Sequence, residues 1–400
     1  MKNPTILSVK VLLIIGSASL MIFSACKKSQ SNATSRSETP ILPATPYQYM
    51  TVEDGGKSID ITELIHDESK TMVSDQSVTL GRVLFYDTKL SINNTISCGS
   101  CHKQALGFAD NVAASIGFSD RVTPRNSMSI QNAVHNNNMF WDSRAKSPME
   151  LSMMPVFNHL EMGMETDQML ESKLSATSYY PELFQKAFGS SAITKDKIAL
   201  AMTHFVNCLF SKQSKFDEGM KGPFGMLGDP SQVDPANFTP LELEGKKLFF
   251  SEALKCSQCH AGSNFSAPDF EGGSYGGGGF TGNNNDPNDP RGTANIGLDY
   301  IYKDNGRGGG KFKIPSLRNI ALTGPYMHDG RFKTLDDVLN HYSHGIKNHP
   351  NLDEKFKVNG VAKNINMNEG EKLAIISFLN TLTDRNLITN PKFSDPFVMH

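Results

Sequence analysis

Four hundred residues suffice for two domains of ordinary size, and 39 Lys+Arg against 41 Asp+Glu leave a net charge of -2. That balance lacks the basic excess expected of a nucleic-acid binder. Beyond one N-terminal apolar run, no stretch is long enough to cross a bilayer.

Lys2 precedes an apolar run from Val11 to Phe23, which ends in Ser24-Ala25-Cys26. A charged start, an apolar centre and small residues before a cleavage point form a secretory signal. The order Phe23-Ser24-Ala25-Cys26 resembles a bacterial lipoprotein signal. Residues 1–25 are therefore expected to be removed and Cys26 to carry lipid. An uncleaved anchor helix is the alternative, for which the run is short. Residues 26–74 read as tether and lead-in: from 27 to about 50 they are rich in Ser, Thr, Pro and Asn and almost lack apolar periodicity. The expected location is the periplasm or cell envelope, with contact to a membrane through the lipid anchor only. Cys26-Lys27-Lys28 does not settle which membrane or leaflet.

A helical apolar pattern at Leu80 to Tyr86 then leads through a loop into Cys98-Gly99-Ser100-Cys101-His102. Two thiols at this spacing can form thioethers to one porphyrin, and the adjacent histidine can reach its iron. The segment Ile116 to Thr123 holds no histidine, and His135, ahead of Asn136, reads as structural. Helices are predicted over Asp167 to Ala176, Pro181 to Phe188 and Thr194 to Phe210, the last making Cys208 a buried small hydrophobe. A dense cluster of Gly, Pro, Asp and Asn from Gly219 to Pro240 marks a domain boundary.

The pattern then repeats. Glu244 to Phe250 leads into Cys256-Ser257-Gln258-Cys259-His260, about 160 residues after its counterpart. Two such motifs imply two covalently bound c-type haems. They take four of the six cysteines, at 98, 101, 256 and 259, and leave no spare pair for a structural disulfide. Zinc held by four cysteines fits poorly, because the pairs stand 155 residues apart and each carries an adjacent histidine. Residues 271–310, rich in Gly and Asn, read as a long surface loop. A phosphate cradle is excluded because Lys311 is followed by Phe312. Further helices are predicted over Leu335 to Tyr342 and Asn368 to Leu382, and strand signals are few. The fold class expected is mostly α: two tandem cytochrome c-like domains, each with one covalent c-type haem, at 75–235 and 236–390.

Three further segments, with both haem motifs in order, carry a specific likeness. Phe140-Trp141-Asp142-Ser143-Arg144, Glu161-Met162-Gly163-Met164 and Thr323-Gly324-Pro325-Tyr326-Met327-His328-Asp329-Gly330 resemble the bacterial di-haem cytochrome c peroxidase/MauG superfamily over residues 75 to 385. The resemblance implies an N-terminal peroxidatic haem held by His102 and a C-terminal electron-transfer haem held by His260. It implies Trp141 as the bridge between them and Glu161 as the distal acid-base group acting on peroxide. In the peroxidase branch a loop histidine blocks the first haem until the second is reduced; here that position is about Phe118, so the first haem is expected to be open. The family ligand to the second haem falls at Tyr342, counted from His328, a position that MauG fills with tyrosine; Met327, His341 and His344 are the runners-up. Asn126, Thr323 and Pro325 match the family's calcium ligands, which suits an oxygen-bound ion with several waters. MauG's surface tryptophan, two residues before its second motif, is replaced by Leu254.

The function implied is reduction of hydrogen peroxide with electrons from a small cytochrome c or cupredoxin. A MauG-like oxidase of a protein or organic substrate is the second expectation, and a non-catalytic di-haem electron-transfer cytochrome the third. No nucleic-acid partner is expected, and the sequence leaves open whether the chain forms a homodimer.

Overall fold

Helix starts in this chain are marked by side chains that satisfy otherwise orphaned backbone N–H groups. Ser74 caps α1 (Asp75–Tyr86), and the single-turn α2 (Cys98–Cys101) follows it. Ser147 caps α3 (Pro148–Phe157), Thr166 caps α4 (Asp167–Ser175), and α5 (Tyr180–Phe188) ends at Gly189. Thr194 caps α6 (Lys195–Asn207) and Ser214 caps α7 (Lys215–Gly219). Thr239 with Glu242 forms a capping box on α8 (Pro240–Phe249), Thr334 with Asp337 another on α9 (Leu335–Asn340), and Asn368 with Glu371 a third on α10 (Glu369–Asn380). Asp384 caps α11 (Arg385–Thr389). Three two-stranded antiparallel ribbons complete the described elements: β1 (Thr51–Asp54) with β2 (Lys57–Asp60), β3 (Thr293–Ala294) with β4 (Phe312–Lys313), and β5 (Lys357–Val358) with β6 (Val361–Ala362).

This computed structural model describes residues 36–398 apart from 55–56, 137–138, 146, 222–229, 267–292 and 299–307. Cys26 and most of the Gly/Asn-rich segment 271–310 lie outside the described residues. No described helix is long and apolar enough to cross a membrane. The mostly helical architecture agrees with the sequence reading. The helices predicted to run to Phe210, Leu382 and Tyr342 end earlier, at Asn207, Asn380 and Asn340, and after Asn340 the chain continues as a wide π turn over His341–Gly345.

The sequence repeat is also a repeat of packing. Helix α1 crosses α6 where a Cβ on Gly81 would lie 1.9 Å from the Ala201 carbonyl oxygen and 2.9 Å from Phe205 Cβ. Helix α8 crosses α10 where a Cβ on Gly245 would lie 1.8 Å from the Ala374 carbonyl oxygen and 2.9 Å from Phe378 Cβ. Four residues on from each glycine a phenylalanine meets the same partner: Phe85 and Phe205 ring centroids are 5.2 Å apart, as are those of Phe249 and Phe378. Each crossing sits in its own apolar core. The first gathers Phe85, Phe108, Tyr180 and Phe205, and the second Phe216, Phe249, Phe265 and Phe378.

Between the cores runs a seam of buried polar groups that satisfy one another. Asn132 Nδ2 donates to Asn264 Oδ1 at 3.0 Å, Asn319 Nδ2 to Ser211 Oγ at 2.9 Å, and Ser211 Oγ to Asp384 Oδ2 at 3.2 Å. The chain then ends on the first core, not the second. Leu387, Phe393 and Phe397 pack there, and Arg82 Nε and the Tyr86 hydroxyl each donate at 2.7 Å to the carbonyls of Ser394 and Phe393.

His204, on α6, is buried with one ring nitrogen 2.8 Å from Ser77 Oγ and the other 2.8 Å from the Ser69 carbonyl. Burial brings its pKa down from 6.5 to about 4. Between those two values the unfolded chain takes up a proton that the folded chain refuses. Stability should therefore fall as pH drops through that window and level off below it, by on the order of 3 kcal/mol in all. His204→Gln should flatten that part of the pH profile of urea unfolding, and an unchanged slope would exclude His204 as its source.

Candidate functional site

The two haem motifs adopt the same local chemistry. In the first, the single turn of α2 lets the His102 amide donate to the Cys98 carbonyl at 2.9 Å, and His102 Nδ1 lies 3.0 Å from the Phe108 carbonyl oxygen. In the second, a 3-10 turn at Cys256–Gln258 brings the His260 amide 2.9 Å from the Cys256 carbonyl. His260 Nδ1 lies 3.1 Å from the carbonyls of both Phe265 and Pro315. A carbonyl can only accept, so each Nδ1 carries the proton and each Nε2 keeps its lone pair for a metal. Burial pushes the Cys98 and Cys256 thiols up to about 12, and holds both histidines below the ordinary range.

Two neutral thiols and an imidazole lone pair in apolar surroundings are the donor set a covalently held haem requires. Around the second motif they line a cleft walled by apolar side chains such as Leu298, Phe312, Ile314 and Leu339. The residues present fit the group.

Glu161 lies on the turn that leaves α3. Asn158 builds that turn: its Oδ1 accepts from the Leu160 amide and its Nδ2 donates to Glu161 Oε1, both at 2.8 Å. Burial raises the Glu161 pKa, opposed by the Arg144 guanidinium and the Asn158 bond. The carboxylate in turn contributes to the upward shift of both Cys98 and Cys101, so its charge reaches the first motif. Arg144 is held 2.8 Å from Asp142 Oδ1 and stands 3.5 Å over the Phe140 ring. The neighbouring loop carries Phe118, whose amide donates to the Glu161 carbonyl at 2.8 Å. Its ring lies against Gly163, at φ +70, where a Cβ would come within 2.2 Å of it.

Trp141 lines the second cleft, with its indole N–H donating to the Asn126 carbonyl at 2.9 Å. Its own carbonyl accepts from the Lys313 amide at 2.7 Å. Asn126, Thr323 and Pro325 are among the residues that line the same cleft. Asn126 Nδ2 donates to the Val112 carbonyl at 3.0 Å, which turns Oδ1 the other way. His328 stacks on Phe312 at 3.8 Å and 11°.

Tyr342 and Met327 both line the cleft with His260. Tyr342 is stacked on Phe356 at 5.8 Å, and burial near Cys259 and Cys256 raises its hydroxyl pKa. Neither His341 nor His344 lines the cleft. His341 Nε2 is 2.9 Å from the Ile296 carbonyl, and His344 is exposed. His135 packs against Phe210 with centroids 5.6 Å apart, and Leu254 is buried in the second core. Sequence reasoning gave no role to Asn158 or to Arg144. The Asn158-x-x-Glu161 spacing was the available signal for the first; nothing local pointed to the second.

Comparison with known proteins agrees with this geometry. The family model described as di-haem cytochrome c peroxidase matches residues 75–223. Cytochrome c551 peroxidase of Nitrosomonas europaea is 33% identical over 304 residues, covering 76% of this chain and 79% of that protein. Methylamine utilization protein MauG of Methylorubrum extorquens is 30% identical, covering 78% and 79%. Among solved structures, a MauG-like protein associated with microbial copper homeostasis matches with a TM-score of 0.66 at 30% identity, covering 81% of this chain and 94% of that one. Sequence, donor set and fold agree: the chain belongs to the di-haem cytochrome c peroxidase/MauG family.

Proposed function

We propose that the chain is a di-haem peroxidase of the periplasm or cell envelope, held to a membrane by lipid on Cys26, that reduces hydrogen peroxide to water. Electrons come from a small cytochrome c or cupredoxin. The first haem domain spans 75–235 and the second 236–390. Haem, when bound, supplies an iron that takes up peroxide and the electrons for its reduction. Glu161 moves the proton: Asn158 occupies Oε1, and Oε2 takes the proton of one peroxide oxygen and returns it to the leaving oxygen. Trp141, its ring fixed by the Asn126 carbonyl, would serve as the bridge for electrons between the two haem domains. Tyr342 would be the residue that caps the second iron, with Met327 as runner-up, and Asn126, Thr323 and Pro325 would hold calcium.

The observation that carries this reading is Glu161, half-buried in the turn after α3 with its carboxylate held by Asn158 and its carbonyl bonded by the amide of Phe118, the residue matched to the family's blocking histidine. A first site without that block should need no prior reduction. The haem-loaded ferric protein should therefore show a high-spin component as isolated and consume peroxide with a reduced cytochrome c from the first turnover. Tyr342→Phe should change only the low-spin part of that spectrum. A ferric spectrum with no high-spin component would sink the enzymatic reading in favour of an electron-transfer cytochrome. A MauG-like oxidase is favoured by the tyrosine at 342. Peroxide consumption by the oxidase with an organic substrate but not with the reduced cytochrome would select it.

A further inference from the structure

A pair of tyrosines shares one buried carboxylate next to the first haem motif. The hydroxyls of Tyr179 and Tyr180 both donate to Asp87 Oδ2, at 2.5 and 2.9 Å. Asp87 Oδ1 is taken by the Lys89 amide at 2.8 Å. The two rings are 4.6 Å apart between centroids, tilted by 47°. Tyr180 is fully buried in the first core, against which Cys98 packs, whereas Tyr179 is half-exposed. The pair thus runs from the surroundings of the first motif to the surface. Both lone pairs of Oδ2 are thus taken up by phenol hydroxyls.

We propose that Tyr180 and Tyr179 form an oxidation relay that carries single oxidising equivalents from the first haem site to a phenol or aromatic amine at the surface, with Asp87 as their common proton acceptor. The proposal rests on the peroxidase reading above. When peroxide has oxidised the first site, Tyr180 gives up one electron to it and its hydroxyl proton to Asp87 Oδ2, leaving a neutral phenoxyl. Tyr179 then passes one electron to Tyr180. Asp87 returns the proton to Tyr180 and takes that of Tyr179. The surface donor AH supplies an electron to Tyr179, Asp87 gives the proton back, and the donor's own proton goes to the water formed. Over two passes the balance is H2O2 + 2 AH → 2 H2O + 2 A•. Burial holds both phenols protonated well above neutrality, so neither ring can lose an electron without an acceptor for its proton. Asp87 supplies that acceptor within hydrogen-bond reach.

The test uses the haem-loaded protein mixed with hydrogen peroxide in the absence of donor and frozen within milliseconds. The wild type should give a tyrosyl electron-spin signal that narrows when ring-deuterated tyrosine is incorporated. Tyr180→Phe and Asp87→Asn should each lower its yield at least tenfold. Tyr179→Phe should keep the signal but lower peroxide turnover with a simple phenol at least tenfold. A tyrosyl signal undiminished in Tyr180→Phe, or phenol turnover undiminished in Tyr179→Phe, would reduce the cluster to a structural tie and overturn the relay alone. Peroxide left unconsumed with both the phenol and a reduced cytochrome c would overturn the peroxidase reading and the relay with it.

Discussion

Glu161→Gln is expected to lower steady-state peroxide turnover by roughly 10²–10⁴-fold, the usual contribution of a positioned acid-base group. Glutamine matches glutamate in shape and keeps an oxygen to accept from Asn158 Nδ2, so the turn after α3 should survive. What it cannot do is take a proton from peroxide and return it. The pH profile separates this role from a merely structural one. Burial holds the Glu161 carboxyl above the ordinary carboxylate range, against the pull of Arg144. Wild-type turnover should therefore fall on acidification through a limb displaced upward from that of an exposed glutamate, as the base becomes protonated. In Glu161→Gln the small residual turnover should be flat across the same interval. Turnover within a few-fold of wild type, or an acid limb that persists in the variant, would remove Glu161 from the chemistry.

Sequence and structure part company according to how local each feature is. Both Cys-x-x-Cys-His motifs were legible because attachment and ligation come from five consecutive residues, and the backbone there needs only a single turn. The helices were legible for the same reason: caps such as Thr194 and Asn368 stand immediately before their apolar periods. Features made by distant segments were not. The contact of the Phe118 ring with Gly163 joins two loops, and the Arg144 charge reaches Glu161 across the space between two segments. Asp87 gathers two hydroxyls from more than ninety residues away. Tyr342 was located by its distance from His328. The π turn that carries it had no signal in the apolar pattern, because the chain leaves helical geometry at Ile346 and no later period reveals the extra residue. The glycines at the helix crossings fell between these cases. Gly81 and Gly245 were visible as equivalent positions of a repeat, but what makes them necessary is the backbone of another helix.

That necessity gives the second large effect. Gly81→Val and Gly245→Val should each destabilise the haem-loaded protein by on the order of 3 kcal/mol or more, read from urea unfolding. Two terms oppose each other. Removing glycine from a helix interior is worth at most about 1 kcal/mol of backbone entropy, and less when the replacement is β-branched. Against this, the first carbon added at Gly81 would meet the Ala201 carbonyl oxygen at 1.9 Å, and at Gly245 the Ala374 carbonyl oxygen at 1.8 Å. Those atoms belong to helix backbone and cannot swing aside as a flexible side chain could. The helices must part, which opens the contact of Phe85 with Phe205 in one core and of Phe249 with Phe378 in the other. Steric loss therefore exceeds the entropic gain. Gly370 supplies the opposite sign: it is exposed in the first turn of α10, and a Cβ there meets only Asn368 Oδ1, at 3.2 Å. Gly370→Ala should leave stability unchanged or raise it by up to about 1 kcal/mol. If all three variants unfold at the wild-type midpoint, the crossings tolerate a side chain and the close approach does not hold either core together. If Gly81→Val and Gly245→Val lose stability and Gly370→Ala does not, the cost comes from these two helix crossings and not from glycine replacement as such.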